Sequence, residues 1–324
     1  MSTSLPDAPD APIVRLRGLS KRYGERVALA GIDLALAGRQ IVGVVGPDGA
    51  GKTTLLRALA GLLEVDAEEA VVLGHDLRGD VTELKAGIGY VPQAFSLQRD
   101  LSVIENLRFT ARLHRMTHAE FDDRADRLLA RTGLIPFLDR PAGALSGGMK
   151  QKLAVANALL TSPALLLLDE ATAGVDVLAR AEIWDLLREQ RRSALVVIST
   201  SYLDEAGACD RLVYLDRGRV LASGTPEELR ALASLALYRV WGEDVRAIAR
   251  TARQLPYVES ARGTGRFARV DVFRERAPAR AAILRDLHAL PGVDVLLAEE
   301  APVDMEATLL ALARHAAAAE GQPR

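Results

Sequence analysis

The spacing richest in chemistry runs through Gly46, Pro47, Asp48, Gly49, Ala50, Gly51, Lys52 and Thr53, which match the pattern G-x-x-x-x-G-K-[ST] and are followed by Thr54. Its glycines let successive backbone N–H groups turn inward around a phosphate, Lys52 adds a point charge, and the Thr53 hydroxyl can ligate Mg2+. A helix that starts there points its positive end at the same anion. The bland alternative is a glycine turn that merely reverses the chain. It is disfavoured by context, because the motif sits between the apolar run Ile41–Val45 and the helical pattern Thr53–Gly61.

A second element is LLLLDE, Leu165–Glu170. A buried strand of this kind would deliver Asp169 to the shell of a bound Mg2+, and Glu170 to the place of a water attacking a terminal phosphate. Acidic pairs at strand ends are common, so the pattern gains weight only from the cradle upstream. A third element, Leu145, Ser146, Gly147, Gly148, Met149, Lys150 and Gln151, reads as a helix start with two glycines in its first turn. That arrangement costs helix stability without evident return.

These residues need elements to hold them. The run Ile41–Val45 is almost wholly apolar, as a central buried strand should be, and Val14–Leu19 and Val27–Leu36 read as further strands. A helical insert is expected over about 94–160, with Val103, Leu107 and Phe109–Leu113 on one apolar face and Phe121, Leu128 and Leu129 after them. Ala164–Leu168 and Ala194–Ser199 read as buried strands joined by a helix over Leu178–Arg191, a βαβ unit. Thr225, Pro226 and Glu228 form a helix start with cap, N1 proline and capping-box glutamate. From about 236 a smaller pattern follows: strand Tyr238–Trp241, helix Val245–Leu255, strand Phe267–Phe273, helix Ala277–Leu290, strand Val293–Leu297 and helix Met305–Ala318. This reads as a ferredoxin-like α+β domain over 236–318. Residues 1–12 and 319–324 are expected to be disordered tails.

Composition bounds the function. The chain has 324 residues, 49% of them apolar, enough for one large and one smaller domain. A formal net charge of −2 and a pI near 6.3 argue against nucleic acid as a partner. Cys209 is the sole cysteine, so neither an intramolecular disulfide nor a cysteine metal cluster can form, in keeping with a reducing cytoplasm. No apolar run approaches bilayer-spanning length, and the N-terminus lacks a basic start and an apolar signal core. Any membrane role is expected to be peripheral, on the inner face.

Together, the cradle, LLLLDE and LSGGM resemble the motifs of the ATP-binding cassette (ABC) proteins over about residues 13–232. The resemblance implies an α/β fold of the P-loop NTPase ABC type, a RecA-like core with an antiparallel β subdomain and the helical insert. It assigns ATP and Mg2+ as cofactors, with Thr53, Gln93 and Asp169 around the metal and Glu170 as the catalytic carboxylate. Tyr23 would stack on adenine, Gln93 of YVPQ would sense Mg2+ and water, and Asp176 of TAGVD would lie in the loop facing a second cassette. Ser146, Gly147 and Gly148 would close over the ATP of the partner, so the working unit is a dimer. The surface over about 94–142 would dock on a membrane permease. The stretch Ser201–Arg230 and the C-terminal domain are similar to cassettes of type-2 exporters, and GPDGAGKTT with serine at 201 resembles the first cassette of fused two-cassette drug-efflux ATPases.

Family members usually carry histidine where Ser201 stands. Serine is shorter and carries no charge near neutral pH, so it stabilises transition-state charge less well, and losing one such donor lowers turnover by about 100- to 1000-fold. The expectation is a site that binds ATP and hydrolyses it slowly, in a heterodimer with a histidine-bearing partner; a homodimer is the alternative. Two other readings stay open from the sequence: a soluble regulatory ABC ATPase not coupled to transport, and an inert ATP-binding scaffold.

Overall fold

The computed structural model describes residues 12–319. Along the chain, β1 (Pro12–Tyr23), β2 (Arg26–Ala37) and β3 (Ile41–Val45) lead into α1 (Lys52–Leu59), followed by β4 (Glu69–Val72), β5 (His75–Asp76), α2 (Thr82–Ala86) and β6 (Ile88–Val91). Three helices come next, α3 (Val103–Leu113), α4 (His118–Thr132) and α5 (Gly147–Leu159). Then β7 (Leu165–Asp169), α6 (Val177–Gln190), β8 (Leu195–Thr200), α7 (Leu203–Ala206), β9 (Arg211–Asp216) and β10 (Arg219–Gly224) complete a first compact unit. The second holds α8 (Pro226–Ala233), β11 (Leu235–Gly242), α9 (Val245–Ala252), β12 (Val258–Thr264), β13 (Phe267–Phe273), α10 (Arg280–His288), β14 (Val295–Ala301) and α11 (Met305–Ala319).

In the first unit a six-stranded sheet runs in the order β10-β9-β3-β8-β7-β6, and β9, β3, β8, β7 and β6 pair in parallel. Every residue of β3, β7 and β8 is buried, which is why these strands read as unbroken apolar runs rather than alternating ones. A second, antiparallel sheet has the order β2-β1-β4-β5. One apolar cluster joins the two sheets through Leu55, Leu56 and Leu59 of α1. The helices α3, α4 and α5 build a separate core around Val103, Leu107, Phe121, Leu129 and Leu153, the expected helical insert. Ser102 with Glu105, and Thr117 with Glu120, form capping boxes that start α3 and α4.

The second unit is a four-stranded antiparallel sheet in the order β12-β13-β11-β14, with α9 and α10 as its crossovers. That βαββαβ order is ferredoxin-like. Ala236, Tyr238 and Val240 pack with Ile248 and Ala252 of α9 and Ile283 and Leu287 of α10.

Several boundaries differ from the sequence reading. The units part between Ser223 and Gly224 rather than over 232–236, because α8, with its Thr225–Glu228 capping box, packs against α11. Pro12 is the first residue of β1 rather than the last of a tail, and Ala319 ends α11; the rest of both expected tails lies outside the described residues. β7 and β8 each start and end one residue later than expected, with Asp169 paired to Ser199 and Thr200 to Val45. The helix after the cradle starts at Lys52 and stops before Gly61, whose φ of 63° is left-handed. α9, α10 and the strands β11 and β14 are likewise shifted by a few residues at their ends.

Candidate functional site

The neighbours β3, β8 and β7 end at the same edge of the parallel sheet, the place where ligands bind in open α/β sheets. From β3 the chain turns through the glycine loop into α1. Gly46 has φ of 155°, and a Cβ there would lie 2.0 Å from the Leu215 carbonyl oxygen. Gly51, at φ of 106°, caps α1, and its Cβ would lie 2.6 Å from the Ala28 carbonyl. Only glycine fits either position, which explains the motif from the packing side. No acidic residue stands in the first turn of α1 to offset its positive end.

Lys52 is 5% exposed, and its ammonium donates to the carbonyls of Gly46 at 2.8 Å and Pro47 at 3.1 Å. It also lies 3.9 Å from Glu170 Oε1. Gln93 donates from Nε2 to Glu170 Oε2 at 2.9 Å. Each carboxylate oxygen of Glu170 therefore has a partner, an ion pair at one and a hydrogen bond at the other, and its backbone is in the left-handed region at φ of 50°, strain of the kind that collects at functional sites. Thr53 donates to Asp169 Oδ1 at 3.0 Å, and Ser199 donates to the same oxygen at 2.7 Å. Asp169 Oδ2 is buried with no hydrogen-bond partner in the protein. A hard divalent cation fits this donor set, because Thr53 and Asp169 offer oxygen only. Among the described residues no cluster of three His, Cys, Asp or Glu side chains would hold a metal alone.

A cavity of about 480 Å3 opens beside these groups, lined by Tyr23, Asp48, Gly49, Ala50, Gly51, Lys52, Thr53, Thr54, Gln93 and Glu170, with Arg26 and Ala28. It gathers most of the residues singled out from sequence. Tyr23 is 45% exposed at its rim. Ser146 and Gly148 lie elsewhere. The Ser146 hydroxyl caps α5 by accepting from the Met149 N–H at 3.3 Å. A Cβ on Gly148 would lie 3.0 Å from Asp176 Oδ2 and from Ala179 Cβ, so the second glycine lets the starts of α5 and α6 approach. Asp176 caps α6, accepting from the Ala179 N–H at 3.0 Å. Gly147 is open to solvent on its Cα side. Ser201 is exposed just beyond β8 and does not line the cavity.

Two residues escape a reading by motif. Ser199, fully buried, donates to Asp169 and accepts from the Glu170 N–H at 3.0 Å, locking the two acids together. Only the parallel register of β7 and β8 brings it there. Arg26 reaches the cavity because Tyr23 and Arg26 pair across the β1–β2 turn; a two-residue turn at Gly24-Glu25 was the available signal.

Fold and site define a P-loop α/β nucleotide-binding domain with a helical insert. Residues 29–173 match the family model of the ABC transporters. The chain is 37% identical over 296 residues to a daunorubicin resistance ATP-binding protein, DrrA3, of Streptomyces coeruleorubidus, covering 90% of each. It is 34% identical over 312 residues to the Nod factor export ATP-binding protein I of Ralstonia nicotianae, covering 95% of each. Against a probable multidrug ABC transporter ATP-binding protein, YbhF, of Escherichia coli it is 39% identical over 288 residues, 87% of this chain and 49% of that one, so it spans about half that relative's length. Among solved structures, an ATP-binding subunit of an ABC transporter superposes with a TM-score of 0.62 at 29% identity, over 68% of this chain and 92% of that one. A dimeric post-hydrolysis ATP-binding cassette bound to ADP and Pi superposes with a TM-score of 0.61 at 27% identity, over 65% and 98%. The chain belongs to the ATP-binding protein family of the ABC transporters.

Proposed function

We propose that this chain is the ATP-hydrolysing subunit of an ABC exporter, dimerising around ATP to drive a membrane permease in drug or multidrug efflux. The observation that carries the reading is Glu170, fixed between Lys52 and Gln93 at a cavity that cradle residues 48–54 also line. In this reading the cradle amides and Lys52 bind the phosphates, and Tyr23 stacks on adenine at the rim. Thr53, Asp169 and Gln93 would hold Mg2+, which when bound offsets phosphate charge. Glu170 orients a water at the terminal phosphate and takes its proton, and Gln93 keeps that carboxylate in one rotamer. Ser146, Gly147, Gly148 and Asp176, outside the cavity in one chain, serve the ATP of the second cassette. Ser201 supplies no charge at the terminal phosphate, so this chain's own site is slow, and a heterodimer with a histidine-bearing cassette gives each dimer one fast site.

The relatives' descriptions, daunorubicin resistance, Nod factor export and multidrug transport, support export as the direction. Among the described residues no helix is long and apolar enough to cross a membrane, and the proposed place is peripheral on the inner face, docked through the helical insert. The test is a detergent pull-down of the Glu170→Gln chain with ATP. Copurification of a permease and a second cassette is expected; a preparation that reproducibly lacks any membrane protein overturns the reading in favour of a soluble ABC ATPase.

A further inference from the structure

Beside the site lies a buried carboxylate that the roles above leave unused. Glu205, on α7, is 4% exposed. Its Oε2 accepts from the hydroxyls of Thr172 at 2.9 Å and Thr200 at 2.7 Å. Its Oε1 makes no hydrogen bond but lies 3.5 Å from Arg180 Nε, a buried donor that likewise has no hydrogen-bond partner. Burying an incompletely paired carboxylate is costly, so this group is poorly explained by stability alone.

What converges on it is informative. Thr172 stands two residues after Glu170, Thr200 directly precedes Ser201, and Arg180 sits one turn into α6, the helix capped by Asp176. Arg180 also stacks over the ring of Tyr202 at 4.5 Å, with Asp204 3.8 Å from its guanidinium. The Tyr202 N–H donates to Thr200 Oγ1 at 3.0 Å, closing a tight turn around position 201. Residue 201 is thus gripped from both neighbours, Thr200 by Glu205 and Tyr202 by Arg180.

We infer that Arg180, Tyr202 and Glu205 are positioning residues that hold residue 201 in place for hydrolysis and tie it to the start of α6, where Asp176 lies. The inference rests on reading the chain as an ATPase. It makes the geometry of the loop, and not only the side chain at 201, a determinant of rate. It also places on one buried carboxylate the strand end that carries position 201, the segment after Glu170 and the helix behind Asp176.

Tyr202 is the residue to vary, because it is 37% exposed and its truncation leaves the core intact. Single-turnover ATP hydrolysis and ATP affinity are measured on the full chain and on Tyr202→Ala and Tyr202→Phe. Losing the ring from under Arg180 is expected to slow hydrolysis about 5-fold, with ATP Kd within about twofold, and Tyr202→Phe, which keeps the ring, restores the rate. Equal rates for Ala and Phe, or ATP affinity that falls in step with the rate, would overturn the proposal. Glu170→Gln is measured first: if it leaves hydrolysis unchanged, the ATPase reading fails, independently of the clamp.

Discussion

Replacing Ser199 with alanine deletes one oxygen, fully buried, that bridges the two acids of the site. In the native chain that oxygen donates to Asp169 Oδ1 at 2.7 Å and accepts from the Glu170 N–H at 3.0 Å. After the change Asp169 keeps the Thr53 donor at 3.0 Å, and the Glu170 N–H keeps the Ser199 carbonyl at 3.2 Å. The loss is therefore chiefly one hydrogen bond to a buried carboxylate, worth about 1.5–3 kcal/mol. At roughly 2–4 °C per kcal/mol for a unit of this size, the melting temperature should fall by about 3–12 °C. Calorimetry, read on the transition that shifts upward with added ATP, isolates the first unit. Hydrolysis should slow as well, because Asp169 loses one of its two fixed donors. An ATP-linked transition that stays within about 0.5 kcal/mol of the native one, the scatter of neutral surface changes, would refute the reasoning.

Two further outcomes follow from groups outside the cavity. Burial, with Glu205 and Asp210 adding to it, pushes the Cys209 thiol up to about 12. A thiol reagent at pH 8 should therefore label the protein only as fast as it unfolds, and prompt labelling of the native chain would contradict this. Because the folded value lies above the ordinary 9.0, the thiol's contribution to stability is complete below pH 9 and declines as pH rises toward 12. In the second unit burial alone would raise Asp304, but its hydrogen bonds with Arg269 and the Ala307 N–H hold it below 3.8. Its contribution is present above that value and is lost as pH falls through the lowered one. Asp304→Asn should destabilise the second unit at pH 7 and flatten its acid limb in a pH series of denaturant melts; parallel limbs would contradict the assignment.

The parts of the molecule most legible in sequence are those whose constraint is local. β3, β7 and β8 are buried on both faces and so read as apolar runs, and the cradle needs glycine where a Cβ would strike the Leu215 or Ala28 carbonyl. β13, Phe267–Phe273, matches to the residue. β1 and β2 were harder. Each is 12 residues long, and their register shifts at several points, which breaks the period-2 pattern into shorter pieces. β6 and β4 have four residues each and leave too short a pattern to recognise. The boundary at 223/224 depends on α8 packing with α11, about 80 residues away in sequence. Ser199, Arg180 and Glu205 have no spacing rule that names them, because strand register places the first and an ion pair between α6 and α7 joins the other two.

The central claim is that the chain's own site is a nearly complete ATPase slowed at one position. Its most direct measurement is the ATP turnover of the purified chain with and without Ser201→His, at saturating ATP and Mg2+. Slow turnover that rises by about 100-fold or more in Ser201→His, with ATP affinity unchanged, is the predicted result. Fast turnover in the native chain that Ser201→His leaves unaltered would contradict the account.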